Sequence, residues 1–177
     1  MSVRAAPAVA VLPDAGPLIT LAYADALDLL LKPGWPVRIV DMVLHEVTRN
    51  ATPTSGKIGE WVKAGQLKLV STRTYALYHA ARAEIKSAPR KANLGELAVQ
   101  EARHTLALDE PLTTGIFLFE DHKIARTTFL VPDNCRKVST RAWLQFLEGK
   151  GWIDSAMAIE RAAIANGRIF SSLRFPP

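Results

Sequence analysis

Four short apolar runs, separated by segments of helical period, constrain the fold of this chain more than any other feature. A continuous apolar run of strand length predicts a strand that is covered on both faces. Strands that alternate with helices predict a parallel sheet between two helical layers. We therefore expect a three-layer α/β/α domain with a central, mainly parallel sheet. The four runs are AVAVL at 8–12, VRIVD at 37–41, LKLVS at 67–71 and TTGIFLF at 113–119.

The segments between these runs predict helices, because their apolar residues recur at steps of three and four. The clearest pattern is LGELAVQEARHTLAL at 94–108, and the segment 17–31 predicts one continuous helix. The segment 133–138 is predicted to be a loop. Ser139 or Thr140 is predicted to cap the helix after it, and Asp154 is predicted to cap a final helix. Residues 1–177 are expected to form one domain, with 139–177 as a helical part packed on it. Further helices are predicted at 42–50, 57–64 and 74–87 and from Asp121 onward.

Composition narrows the class of protein. The chain has 177 residues, of which 49% are hydrophobic, so it is expected to be globular rather than disordered. No apolar run approaches the about 20 residues of a membrane helix. Pro7 and Pro13 interrupt the first apolar run, which argues against a signal peptide, and a single cysteine, Cys135, excludes an internal disulfide. We expect a cytoplasmic protein, and its net charge of +5 favours a polyanionic partner.

Acidic residues stand near the ends of the predicted strands. In an open parallel sheet the carboxyl ends of the strands meet at one edge, and ligands bind beyond that edge. Several of these acids are therefore expected to converge. Asp14 follows the first run, Glu46 lies in the helix after the second, Glu96 opens the clearest helix, and Glu120 and Asp121 follow the fourth run.

Each acid also has a plain alternative role. Asp14 and Asp121 fit the N-cap position of a helix, and Glu96 fits a capping box with Asn93. Glu46 could be an ordinary solvated residue. As a group the acids point elsewhere, because clustered carboxylates repel one another and a divalent cation removes that cost. Mg²⁺ and Mn²⁺ suit such oxygen ligands.

Four motifs, taken in order, resemble the PIN domain, a metal-dependent nuclease fold. The resemblance is strongest to a bacterial branch related to VapC-type toxins, on the motif DAGPLI, a later helix that begins with GE, and EDxxxAR. The segment VSTRAWLQFLEGKGWI resembles the C-terminal part of proteins in that branch. The resemblance covers nearly the whole chain. The four motifs are VLPDAGPLITLA, VDMVLHEV, LGELAVQEA and FLFEDHKIAR.

This resemblance implies a function and a site. Asp14, Glu46, Glu96 and Asp121 would form the acid quartet that holds one or two Mg²⁺ or Mn²⁺ ions, and a metal-bound water would attack an RNA phosphodiester. Glu120 would assist or replace Asp121 as a ligand, and Glu101 is a rival for the role of Glu96. The implied partners are RNA, an antitoxin protein if the chain is the toxin of a toxin–antitoxin pair, and a second copy in a homodimer.

Two departures from the family pattern keep other functions open. Many members carry Ser or Thr shortly after the first Asp, where this chain has Ala15 and Gly16, and Thr two residues before the last Asp, where it has Phe119. Those hydroxyls would orient metal-bound waters. The alternative is a catalytically weak PIN-like module that binds nucleic acid or protein. A phosphatase or receiver domain ranks lowest, because the acids that either would need after Asp14 or in the third strand are missing.

Basic and aromatic residues add secondary expectations. Arg126 lies just over one helical turn beyond Asp121, so Arg126 and Lys123 are predicted to contact RNA. His122 could assist a leaving group, although a surface histidine is the commoner role, as for His45. The other basic residues of the second half, Arg103 and Lys137 among them, are expected to be solvated. The four tryptophans are expected in the core or an interface: Trp35, Trp61, Trp143 and Trp152.

Overall fold

The computed structural model of the protein describes residues 8–84, 93–120 and 131–170. Five strands lie in these ranges: β1 Ala8–Pro13, β2 Arg38–Val40, β3 Lys68–Val70, β4 Thr113–Phe119 and β5 Cys135–Ser139. Seven α-helices lie there too: α1 Ala15–Tyr23, α2 Asp41–Thr48, α3 Ser55–Ala64, α4 Arg73–Glu84, α5 Leu94–Asp109, α6 Thr140–Gly149 and α7 Ala156–Ala165. The predicted α/β class is confirmed. The helix predicted from Asp121 lies outside the described residues.

All strand pairs are parallel. β4 pairs with β1 and with β5, and β2 pairs with β3. A single parallel bridge between Val11 and Val37 joins the two groups, giving the order β3-β2-β1-β4-β5. The chain winds outward from β1 to β3 and then returns to the other side of β1 at β4. The boundary between β1 and β4 is therefore the topological switch point, where sheets of this kind bind their ligands.

The two faces of β4 meet different helices. A Cβ atom built on Gly115 would lie 3.1 Å from Leu106 Cδ2 of α5, so Gly115 faces α5. Because side chains alternate along a strand, Phe117 also faces α5 while Leu118 faces the opposite side. α1 and α6 also pack against β4. This arrangement is compatible with three layers. It also means that each acid at the carboxyl edge of the sheet lies on one particular face of the sheet.

The segment 17–31 is not one helix, as its period predicted. α1 ends at Tyr23, Asp25 has a φ of 52°, and a short 3₁₀ turn follows at Leu27–Leu30. Leu21 and Leu30 are nonetheless both fully buried. Burial of the leucines in one core satisfies the apolar pattern without a continuous helix, and the pattern does not encode the break.

Two further boundaries differ from the predictions. The segment 133–138 is predicted to be a loop, but most of it belongs to β5. The charged residues of this strand interrupt the apolar pattern by which strands are predicted. Ser155, not Asp154, caps the last helix, since its side chain accepts a hydrogen bond from the Ala158 N–H at 3.2 Å. The cap at Ser139 is confirmed by a 3.0 Å bond from the Ala142 N–H.

The core contains the tryptophan that is most buried. Trp143 is 2% exposed, and Trp35 lies 6.1 Å from it and stacks on Phe146 at 5.9 Å. The expected core role of Trp143 and Trp35 is confirmed.

Within the three described ranges, no helix combines the length and apolar character needed to cross a membrane.

Candidate functional site

Asp14 stands at the switch point and is almost fully buried. It follows β1 in an extended conformation, its N–H donates to the Leu118 carbonyl of β4 at 2.9 Å, and its residue is 2% exposed. It occupies the N-cap position of α1, but its side chain makes no capping hydrogen bond. The alternative role of Asp14 as a side-chain cap of α1 is therefore wrong.

The carboxylate of Asp14 lies on the α5 side of the sheet. Leu12, two residues earlier, lines a small cavity together with Ala102 and Leu106 of α5. Because side chains alternate and the backbone stays extended as far as Asp14, Asp14 shares that side. α5 precedes a parallel strand, so its N-terminal end, with Glu96 in its first turn, lies at the same edge of the sheet.

Glu46 contacts the first turn of α5, the turn that carries Glu96, through the backbone of Gly95. The Gly95 N–H donates to Glu46 Oε1 at 3.0 Å, which ties α2 to the first turn of α5. Asn93 has a φ of 67° and makes no side-chain cap, so the predicted capping box with Glu96 does not form. Glu46 supplies the cap instead, from another helix. Glu46 therefore contacts the residue directly before Glu96, and the convergence of the two carboxylates stays a prediction.

Gly95 leaves no room for a side chain. A Cβ atom at this position would lie 2.3 Å from Glu46 Oε2. The glycine therefore allows the carboxylate of Glu46 to lie directly against the backbone of α5. The sequence signal for this contact was the GE pair that opens the helix.

Lys137 of β5 reaches the same neighbourhood, which the sequence did not reveal. Burial lowers the pKa of Lys137, the positive charge of Arg103 lowers it further, and the carboxylate of Glu96 opposes both. A lysine in a predicted loop was expected to be solvated. As a residue of an edge strand it is instead half-buried and interacts electrostatically with Glu96.

Arg103 is a buried cation that forms no ion pair with a carboxylate of the described residues. It is 2% exposed, burial lowers its pKa, and among the described residues its Nε has no hydrogen-bond partner. An unsatisfied buried polar group costs about 1–3 kcal/mol. We therefore expect Arg103→Met, which keeps the unbranched stem, to raise the free energy of unfolding by about 1–3 kcal/mol in urea titrations.

The matched variant for this prediction is Arg103→Ala, which removes both the charge and the packing of the stem. It should be less stable than Arg103→Met, because it leaves a cavity. A loss of stability in Arg103→Met as large as that in Arg103→Ala would contradict the account.

Glu120 lies in a different environment from Asp14. Its Oε1 accepts from Thr20 Oγ1 at 2.7 Å and Thr140 Oγ1 at 3.4 Å, and Arg168 Nη2 lies 3.7 Å away. Arg168 also donates from Nε to Thr20 Oγ1 at 2.9 Å. These contacts tie α1, α6 and the segment after α7 to the end of β4. They favour a structural role for Glu120 over the predicted role of metal ligand.

Gly16 is explained by Glu120. A Cβ atom at position 16 would lie 2.3 Å from Glu120 Cγ. The place where many PIN domains carry a hydroxyl is therefore next to the stem of a buried glutamate. The absence of Ser or Thr at position 16 follows from this packing.

Glu101, the rival of Glu96, has a structural task. Its carboxylate accepts from the Arg73 N–H at 2.6 Å and from the N–H and Oγ1 of Thr74 at 3.0 and 2.9 Å. Burial raises the pKa of Glu101, but these bonds outweigh it and the net pKa is lowered. Glu101 thus caps the N-terminus of α4, which leaves Glu96 as the better candidate at the site.

Several predicted site residues lie outside the described residues. Between 8 and 84, 93 and 120, and 131 and 170, no three His, Cys, Asp or Glu side chains form a group that could hold a metal ion. The predicted quartet includes one acid that is not in these ranges. The residues concerned are Asp121, His122, Lys123 and Arg126.

Comparisons with known proteins leave the family undetermined. No protein-family model, curated protein or solved structure matches this chain. The resemblance to the PIN domain therefore remains a prediction from the four motifs. The fold class and the position of Asp14 stand on the geometry alone.

Proposed function

We propose that the chain is a divalent-metal-dependent ribonuclease of PIN type, acting at an acidic pocket around Asp14. The observation that carries the proposal is a buried carboxylate at the topological switch point whose side chain does not cap the following helix. Ligands of open α/β sheets bind at such a point.

The donors of the proposed pocket are all carboxylate oxygens. Asp14, Glu46 and Glu96 come from three elements that meet at one edge of the sheet, and the resemblance adds Asp121. Hard oxygen donors suit Mg²⁺ or Mn²⁺ rather than zinc. When bound, such an ion activates a water and stabilises charge on a phosphate oxygen.

The protein side chains would position the acids and the RNA. Gly95 holds the carboxylate of Glu46 through its N–H. The charge of Lys137, which interacts electrostatically with Glu96, would offset part of the repulsion between an acidic pocket and a phosphate backbone. Lys123 and Arg126 remain proposed RNA contacts, and the role of toxin with an antitoxin partner or as a homodimer remains a proposal from the resemblance.

A second candidate is a PIN-like module that binds RNA without cleaving it. Phe119 favours it, because a buried aromatic ring, 5% exposed, stands where many family members have a threonine hydroxyl. Gly16 also lacks the hydroxyl. This candidate predicts salt-sensitive RNA binding with no products.

The two candidates are separated by incubating purified protein with end-labelled RNA, with Mn²⁺ or with a chelator. The nuclease predicts fragments only with the ion, and Mn²⁺ should also raise the melting temperature by mass action. Asp109→Asn, an exposed acid at the far end of α5, is the control that should retain cleavage. Intact RNA under all conditions would exclude the nuclease and favour the module that binds RNA without cleaving it.

Gly95→Ala tests how Glu46 is positioned. The new methyl group would push the carboxylate away, so we expect at least a tenfold slower cleavage, about 1.4 kcal/mol in the barrier. Stability should change little, since alanine favours a helix by about 1 kcal/mol over glycine and offsets the lost bond. Initial cleavage rates and thermal melts measure both.

Gly56→Ala is the matched control for this substitution. Gly56 is also in a helix, and a Cβ atom there meets nothing within 4 Å. It should cleave like the parent. Equal rates for Gly95→Ala and Gly56→Ala would remove Glu46 from the site.

A further inference from the structure

A cluster of aromatic and basic side chains lies on α4 and on α2, the helix that also carries Glu46. Two centroid distances hold it together: His45 lies 5.3 Å from Tyr78 and 5.6 Å from Tyr75. His79 extends it at 6.0 Å from Tyr75. We call this cluster the aromatic–basic face: His45, Arg49, Tyr75, Tyr78, His79 and Arg82.

The guanidinium groups are part of the face. Arg82 donates from Nη1 to the Tyr78 hydroxyl at 2.9 Å, and its Cζ lies 5.7 Å from the centre of that ring. Arg49 follows His45 by four residues, so both lie on the same side of α2. The face therefore combines flat rings with positive charge.

Packing within the protein accounts for only part of this face. Tyr75 and Tyr78 are half-buried and contact the core with their inner edges. His79, Arg82 and Arg49 are exposed, and α4 buries none of its residues. Within the described ranges, these three side chains are therefore accessible to a partner.

We propose that the aromatic–basic face binds a single-stranded polynucleotide, with bases stacked on its rings and phosphates held by Arg49 and Arg82. Single-stranded nucleic acid is bound in this way by aromatic platforms combined with cationic groups. Charge complementarity favours this occupant over an apolar protein surface. The choice of RNA rests on the proposed ribonuclease function, since the face and Glu46 share the helix α2.

The test is fluorescence anisotropy of a short labelled single-stranded RNA with the full chain in a chelator, so that cleavage plays no part. Loss of one stacked base weakens binding by about 5- to 100-fold, which we expect for Tyr78→Leu. Tyr78→Phe keeps the ring and should bind like the parent. Arg82→Gln should weaken binding and reduce the salt slope by about one.

Matched controls separate the face from the rest of the surface. Trp152→Leu changes a ring that is 40% exposed in another cluster, Arg161→Gln an exposed charge on α7, and Leu77→Ala an exposed side chain on α4 itself. All three should bind like the parent. If Tyr78→Leu does not fold, the exposed variants His79→Ala and Arg82→Gln carry the test.

Three results would overturn the proposal. These are no binding by the parent at low salt, equal losses in face and control variants, and a duplex bound as tightly as the single strand. Single-stranded DNA of the same sequence should bind comparably, since stacking does not read the sugar. Face-dependent binding without cleavage would refute the nuclease alone, and cleavage with unaltered binding in the face variants would refute the face alone.

Discussion

Asp14→Asn is expected to reduce metal-dependent RNA cleavage by at least about 100-fold, because removal of a charged ligand forfeits several kcal/mol of transition-state stabilisation. The substitution preserves the shape of the side chain. Asparagine caps helices as well as aspartate does, so a capping role predicts no change in either activity or stability. The measurement is the initial rate of fragment formation in Mn²⁺, with thermal melting of both proteins.

The control for Asp14→Asn is again Asp109→Asn, which changes the same functional groups at an exposed position. It should cleave at the parent rate. If Asp14→Asn also cleaves at the parent rate, Asp14 is not part of the active site and the proposed pocket is wrong.

Gly16→Ala is expected to destabilise the fold strongly for a substitution that adds one methyl group. The added methyl group would overlap Glu120 Cγ, which lies in the stem of a buried side chain rather than at a mobile tip. Displacing that stem would break its bonds to Thr20 and Thr140. Overpacking of this kind costs about 1–3 kcal/mol, and lost buried bonds add to it. Urea unfolding measures the change.

A double-mutant cycle with Glu120→Ala identifies the cause. Glu120→Ala removes Cγ, so the added methyl group of Gly16→Ala should cost little in that background. Gly56→Ala, in open space, should be neutral or slightly stabilising in both backgrounds. Additive effects of Gly16→Ala and Glu120→Ala would contradict the proposed contact.

The fold was predictable where burial and period agree. The first four strands follow from short, mainly apolar segments, and α5 follows from a clear four-residue step. β5 was not predicted because Arg136 and Lys137 interrupt its apolar pattern. A strand that pairs on one side in the described sheet can carry such charged residues. The break after Tyr23 was missed because the leucines before and after it are buried in one core, whichever backbone connects them.

The acids near the strand ends could be read from the sequence, but their surroundings could not. The positions of Asp14 after β1 and of Glu96 in the first turn of α5 agree with the sequence, and their joint role in a site stays a prediction. The approach of Gly95 to Glu46, and the half-buried position of Lys137, depend on packing between elements distant in sequence. Sequence alone could not separate Glu96 from Glu101, whereas the capping bonds to Arg73 and Thr74 do.

The central claim is that Asp14 binds a divalent ion, and anomalous scattering from crystals soaked in Mn²⁺ tests it most directly. The account predicts a peak at coordination distance, about 2–2.3 Å, from a carboxylate oxygen of Asp14. Crystals of Asp14→Asn should lose that peak. A fully ordered Asp14 carboxylate with no manganese peak beside it, in crystals that bind the ion elsewhere, would contradict the account.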